Sequence, residues 1–128
     1  MQLPLFFSHC SPRGGSALAV LALLVFSWLP ASAMTIRELR ALENSDLRQG
    51  ANYKRYYLVG AMEGAMQAHD QAARAGAAPA ICLNGRRLEP AMAEGLYLTE
   101  LQRNQDLYEA DMPVPLVLHN ALSTVYPC

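Results

Sequence analysis

The C-terminal stretch AICLNGRRLEPAMAEGLYLTELQRNQDLYEADMPVPLVLHNALSTVYPC, residues 80–128, decides the fold. Cys82 lies near its start, and Cys128 is the last residue of the chain. Between the two cysteines, residues 90–103 and 113–126 each space their apolar side chains as one face of an α-helix does. A bond between Cys82 and Cys128 would therefore close a C-terminal helical hairpin.

The first 33 residues have the composition of a secretory signal peptide. Arg13 supplies a positive charge, residues 17–29 form an apolar run, and Pro30-Ala31-Ser32-Ala33 is a small-x-small cleavage site. The run is shorter than the roughly 20 residues that a membrane-spanning helix needs. We expect cleavage after Ala33 and export to the periplasm, which leaves a mature domain, residues 34–128, without membrane attachment. An uncleaved membrane anchor is the alternative.

Cysteine usage agrees with export. Cys10 leaves with the leader, so two cysteines remain in the mature chain. An even number of cysteines in an oxidising compartment is typical of a disulfide. Closing the span from Cys82 to Cys128 stabilises the fold by about 4 kcal/mol through the entropy that the unfolded chain loses. One reactive thiol and one idle thiol would be the alternative to this bond.

The mature composition leaves little large apolar material for a core. Every Phe and the one Trp lie in the leader, so the remaining aromatic residues are all tyrosines. A domain of about 95 residues with such a core benefits from a covalent cross-link. The whole chain has ten Lys and Arg against 11 Asp and Glu; loss of Arg13 leaves nine, and nine minus 11 gives a net charge of −2. These interspersed charges argue against a nucleic-acid or anionic-membrane surface.

Two helices are expected before Cys82. Thr35 and Glu38 form a capping box that begins a helix over residues 35–48, and Gly50 offers its stop. A second helix follows over residues 51–75.

The second helix carries small residues in its interior. Tyr57, Gly60 and Gly64 lie along one face. Because an interior glycine costs about 1 kcal/mol relative to alanine, two of them four residues apart need a reason. The spacing predicts a tight crossing with another helix, as does Gly95 inside the third helix. A groove that receives a partner is the alternative.

The last two helices complete the bundle. The third is expected to turn one set of residues toward the core: Ala91, Met92, Gly95, Leu98 and Thr99. The fourth is expected to bury another set: Leu118, Ala121, Leu122 and Val125. No segment shows the alternating pattern of a strand. The sequence therefore predicts an all-α domain, a small bundle of about four helices.

A basic turn follows Cys82. Asn84 and Gly85 are turn residues, and Arg86 and Arg87 place two adjacent cations directly after them. A solvated turn is the simpler interpretation. The functional interpretation is a rigid loop whose Asn84, Arg86 and Arg87 contact a partner.

No pattern of residues predicts an enzyme. The chain lacks the GxSxG, Walker, HExxH and CxxC motifs. Cys82 with His119 could in principle act as nucleophile and base, but a disulfide would remove the thiol. His69 beside Asp70 has no third ligand at the spacing of a zinc site. We expect no catalytic residues, no metal and no cofactor.

Several of these segments together carry a family resemblance. They are Tyr57-Leu58-Val59-Gly60 with Gly64, then Ile81-Cys82, then Pro115-Leu116-Val117-Leu118, and the ending Tyr126-Pro127-Cys128. In this pattern the mature chain resembles the Rap/Tai-like immunity proteins, which include the immunity proteins of type VI secretion amidase effectors. It departs from them in cysteine content around the second helix and in the loop after Cys82.

The resemblance implies a function as well as a helical fold. It implies a periplasmic antitoxin that binds and inhibits a peptidoglycan amidase by occluding its active site, either as a monomer or as a homodimer. The alternative is a periplasmic structural or adaptor protein that keeps the fold and has no toxin partner. An adjacent reading frame for a small Cys-His amidase would favour the first.

Overall fold

The computed structural model describes residues 32–128, and most of the predicted signal peptide (residues 1–33) lies outside them. This part of the chain forms four α-helices, which we number in chain order: α1 (Ile36–Asn44), α2 (Gly50–Arg74), α3 (Met92–Arg103) and α4 (Val114–Val125). Between residues 32 and 128 the only β-type pairings are two isolated bridges, Thr35 with Pro113 and Ile81 with Pro127. The predicted all-α bundle is confirmed.

Helix α2 is the centre of the bundle, since it packs against each of the other three helices, while α3 and α4 also pack together. The core between them is aliphatic. Its largest fully buried side chains are Ile36, Leu39, Leu58, Val114, Val117, Leu118 and Leu122. None of the four described helices combines the length and apolar character needed to cross a bilayer.

The predicted disulfide is present. The Cys82 and Cys128 sulfurs are 2.04 Å apart, and the bond joins residues separated by 46 positions in the sequence. The backbone N–H of Cys82 also donates to the carbonyl of Tyr126 at 2.8 Å. The C-terminal hairpin of α3 and α4 is therefore closed onto the segment that precedes it, as expected.

Helix α1 begins as predicted and ends earlier. The Thr35 hydroxyl accepts the N–H of Glu38, and the Glu38 carboxylate accepts the N–H of Thr35, which completes the capping box. The helix ends at Asn44, and Leu47 is fully exposed. Gly50 does not stop α1: it is the first residue of α2, buried against the backbone of Glu43.

Helix α3 presents a different face to the core from the predicted one. Its buried residues are Ala93, Leu96, Tyr97 and Glu100, whereas Gly95, Leu98 and Thr99 are exposed. Both sets have helical spacing, so periodicity alone could not separate them. The larger side chains of Leu96 and Tyr97 fill more of the core. The prediction for α4 was right for its first three residues and wrong for Val125, which is exposed.

Candidate functional site

An open apolar groove runs between α2 and α4. Its volume is about 740 Å³. Ten residues line it: Tyr56, Tyr57, Gly60, Ala61, Gly64, Ala65, Ala68, Pro115, Leu116 and His119. The α2 wall thus runs from two tyrosines to a row of glycines and alanines, and α4 supplies the opposite wall.

Gly60 and Gly64, two of the three glycines of α2, form the floor of this groove. Beyond its own stretch of helix, a Cβ built on Gly60 or on Gly64 would meet no described atom within 4 Å, and the same holds for Gly95 in α3. The predicted role of these glycines in a tight helix crossing is therefore wrong. Because none of the four described helices packs over them, their missing side chains leave open space, and the alternative interpretation of a groove fits this geometry.

The two tyrosines of the groove differ in how firmly they are held. The Tyr57 hydroxyl accepts the backbone N–H of Met34 at 3.1 Å, which ties α2 to the segment before α1. Burial raises the pKa of Tyr57, against the hydrogen bond from Met34, which lowers it. Tyr56 is 75% exposed. Tyrosine, with Trp and Arg, is one of the residue types enriched among the residues that dominate binding energy at protein interfaces.

The basic turn is rigid and its two arginines differ. Asn84 and Gly85 both have positive φ, 50° and 80°, which suits Asn and Gly. The Arg86 N–H donates to the carbonyl of Leu83 at 2.9 Å, and its side-chain Nε donates to the same oxygen at 3.1 Å. The Arg86 guanidinium also lies 4.5 Å from the centre of the Tyr126 ring. Both arginines are exposed, but Arg86 is held against the C-terminal segment, while Arg87 has no described ion-pair or aromatic partner and is the cation that the turn presents.

A second, smaller groove lies beside this turn. Its volume is about 330 Å³. Residues from α2 and from both sides of the turn line it: Met62, Glu63, Met66, Gln67, Leu83, Leu88 and Pro90. The turn and the first groove thus lie on either side of the exposed face of α2, which carries Glu63 and Gln67.

His69 holds the segment that leads into Cys82. Its Nε2 accepts the backbone N–H groups of Ala80 and Ile81, both at 3.2 Å, and its Nδ1 lies 3.3 Å from Asp70 Oδ1. The imidazole is buried, which no pattern in the sequence indicated. No sequence signal identified its partners, because they are backbone groups of a connection with no periodicity.

An ion cluster joins three helices at the other end of α2. Lys54 Nζ lies 2.6 Å from Glu43 of α1 and 2.8 Å from Glu94 of α3, and its side chain is only 12% exposed. Burial lowers the pKa of Lys54, but the hydrogen bonds to both carboxylates outweigh burial and the net shift is upward. The hydrogen bond from Lys54 likewise holds the pKa of Glu94 below its ordinary value.

A buried carboxylate fixes the connection between α3 and α4. Glu100 Oε1 accepts the Asn104 amide at 2.8 Å and the Tyr108 hydroxyl at 2.7 Å. The Tyr108 oxygen in turn accepts the Asn120 amide of α4 at 2.9 Å. The network satisfies Glu100 with neutral donors and gives it a structural role.

The possible catalytic pairs have other uses in the structure. The Cys82 sulfur is consumed by the disulfide, so it cannot act as a nucleophile with His119. His119 lines the apolar groove instead. Between residues 32 and 128, no three His, Cys, Asp or Glu side chains are close enough to hold a metal ion.

Comparison of the chain with protein-family models, curated proteins and solved structures finds no match.

Proposed function

We propose that the mature chain is a periplasmic immunity protein that binds a peptidoglycan amidase and inhibits it by occluding its active site. The observation that carries this proposal is the open groove between α2 and α4 beside the exposed Tyr56. Such a concave apolar surface with an aromatic rim suits a protruding apolar segment of a protein. The resemblance to the Rap/Tai-like family supplies the class of partner.

The scaffold suits an inhibitor. Its groove and its turn are both fixed in the unbound protein, the first by the helix bundle and the second by positive-φ backbone and the contacts of Arg86. Binding by a fixed surface loses little conformational entropy. The disulfide suits an oxidising compartment.

The start of the bundle agrees with processing after Ala33. The Met34 N–H donates to Tyr57, and the Met34 carbonyl accepts the N–H of Val114 at 2.9 Å. Ser32 and Ala33 are exposed. Cleavage after Ala33 would leave both contacts of Met34 in place, and the intact mass of the exported protein tests this site.

Arg87 is the second element of the proposed contact. It is exposed on the turn, and no described carboxylate pairs with it. In this proposal the partner covers the exposed face of α2, with an apolar segment in the groove and an acidic or polar cleft around the turn. Asn84 and Arg86 shape the turn, and Arg87 supplies the charge.

Binding and inhibition assays on matched variants test the proposal. Mature protein is used to capture partners from periplasmic extract, and a captured amidase is assayed on peptidoglycan. Filling the groove with Gly60→Leu and Gly64→Leu should weaken binding by roughly 100-fold, since leucine side chains occupy the space of the partner. Gly95→Leu is the matched control, because its Cβ also meets nothing and it lies outside the groove.

The possible outcomes distinguish the groove from the basic turn as the contact surface, and an immunity protein from an adaptor. If double charge reversal at Arg86 and Arg87 abolishes inhibition while Gly60→Leu and Gly64→Leu have no effect, the contact lies at the turn and not in the groove. Capture of a non-enzymatic partner, with no effect on any amidase, would favour the adaptor function. Self-association that Gly60→Leu abolishes would assign the groove to a homodimer.

A further inference from the structure

His69 is the only described histidine whose ring is buried and bonded to backbone N–H groups. Nε2 accepts from both Ala80 and Ile81, so the ring proton of the neutral form resides on Nδ1, toward Asp70. Protonation of Nε2 would place an N–H against two other N–H groups. Both hydrogen bonds would be lost at once.

The segment held by these two hydrogen bonds leads directly to the disulfide and the basic turn. Ile81 pairs with Pro127, and Cys82, the next residue, carries the disulfide. The basic turn then follows at residues 83–87. Residues 80–82, which lead into the turn, are therefore held in two ways. His69 bonds residues 80 and 81 to α2, while the disulfide and the bridge to Pro127 join residues 81 and 82 to the C-terminal segment.

We propose that His69 is a pH-sensitive latch: its neutral imidazole holds residues 80 and 81 against α2, and acidification releases them. The disulfide limits how far the released segment can move, since Cys82 stays joined to Cys128. Acid would thus loosen the base of the basic turn and leave the bundle folded.

In this proposal the release depends on protonation of His69 and not on the charged groups around its ring. Asp70, which is partly exposed, is the one described carboxylate paired with the ring. It contacts Nδ1, so it stabilises the imidazolium without replacing the lost acceptor at Nε2. Helix α4, packed along α2, contains no Asp, Glu, Lys or Arg, and its one titratable side chain, His119, lines the apolar groove.

Several charged groups on the connection after α2 and on α3 have other positions or partners. In the connection between α2 and α3, Arg86 is held over Tyr126 and Arg87 is exposed on the turn. In α3, Glu94 is held by Lys54 near the N-terminal end of α2. Glu100 is hydrogen-bonded to Asn104 and Tyr108.

Amide hydrogen exchange of the oxidised mature protein, followed by NMR, tests the latch. The Cys82 N–H donates to the Tyr126 carbonyl and not to His69, so it is an internal control. Protonation at Nε2 breaks both hydrogen bonds, which lie only in the held segment, so the released population should rise as the pH is lowered. Exchange at Ala80 and Ile81, relative to Cys82, should rise by roughly tenfold across the range in which histidine side chains change charge, about pH 8 to 5.

Two variants complete the test. His69→Gln removes the titrating group and should abolish the pH dependence of the exchange ratio, while His119→Gln should leave it unchanged. A ratio that stays constant with pH in the unsubstituted protein, or an equal rise in His69→Gln, overturns the proposal. Because the measurement on the unsubstituted protein needs no substitution, it decides the question even where His69→Gln fails to fold.

Discussion

The two ends of α2 are fastened by different means. At its N-terminal end, Gly50 lies against the backbone of Glu43, and Lys54 joins three helices through Glu43 and Glu94. At its C-terminal end, His69 bonds the backbone that leads into the disulfide. One end depends on close approach and charge in the folded state. The other depends largely on a covalent bond that restricts the unfolded chain.

This difference predicts whether a substitution should act on the unfolded chain or on the packing of the folded protein. The disulfide stabilises mainly by reducing the entropy of the unfolded chain, so its loss should leave the native contacts largely in place. Gly50 and Lys54 act in the native state, so their loss should disturb the packing of α1 on α2. The predictions below separate the two mechanisms.

The largest effect is expected at the disulfide. Replacing Cys82 and Cys128 together with serine should lower the free energy of unfolding by about 4 kcal/mol. Urea denaturation of the oxidised and variant proteins measures the change. Reduction of the unsubstituted protein by dithiothreitol is the matched control and should give a similar loss. A loss below about 1 kcal/mol in both would show that the C-terminal end does not depend on this bond.

The next effect is expected at Gly50. A Cβ at this position would overlap the backbone carbonyl oxygen of Glu43, and a backbone group cannot move away as a side-chain tip can. Gly50→Ala should therefore destabilise by about 3 kcal/mol, the upper range of overpacking. Denaturation midpoints measure it. An unchanged midpoint would mean that α1 and α2 are not in close contact at this end.

The sequence predicted the C-terminal end of α2, which leads to the disulfide, better than its N-terminal end. A pair of cysteines, a capping box and helical periodicity are local signals, and they yielded the disulfide, the start of α1 and the four helices. Gly50 looked like a stop because glycine commonly ends helices. Its real role depends on the approach of Glu43, a contact between two helices that no local pattern encodes.

The candidate site shows the same limit. Two glycines four residues apart indicated a special face on α2, but the pattern is the same for a face that is covered and for one that is open. Only the positions of the other helices decide between them. Similarly, two sets of residues on α3 had helical spacing, and Tyr97 and Glu100 became buried because Asn104, Tyr108 and the core could accommodate them.

A third substitution tests the ion cluster at the N-terminal end. Lys54→Met removes the cation that pairs with both Glu43 and Glu94 and leaves Arg55, 3.8 Å from Glu94, as the described cation still paired with that carboxylate. Since these carboxylates are about a third exposed, solvent reduces the cost, and we expect about 2 kcal/mol. Arg37→Met is the matched control: its pair with Asp111 is mostly exposed, so its loss should cost less than about 1 kcal/mol. Equal losses would contradict a special role for Lys54.

The same cluster predicts a pH dependence. The folded-state pKa of Glu94 is lowered, first by the hydrogen bond from Lys54, so its contribution is present above the ordinary value of 4.5 and is lost as pH falls through the folded pKa. The Lys54 contribution is present below 10.5 and is lost as pH rises through the raised folded pKa. The stability difference between the unsubstituted protein and Lys54→Met should therefore shrink at both extremes. A difference that is constant in acid would contradict this linkage.

The smallest effect is expected in the middle of α2, and its sign sharpens the contrast between the two kinds of glycine. At Gly60 and Gly64 an added methyl group meets no atom within 4 Å. Alanine also has the higher helix propensity, so Gly60→Ala and Gly64→Ala should each raise the free energy of unfolding by about 0.5 to 1 kcal/mol. Urea denaturation beside Gly50→Ala gives the comparison directly. Destabilisation by Gly64→Ala would indicate that another part of the molecule lies over this face. Stabilisation together with weaker partner binding would indicate that Gly60 and Gly64 serve the groove and not the stability of the fold.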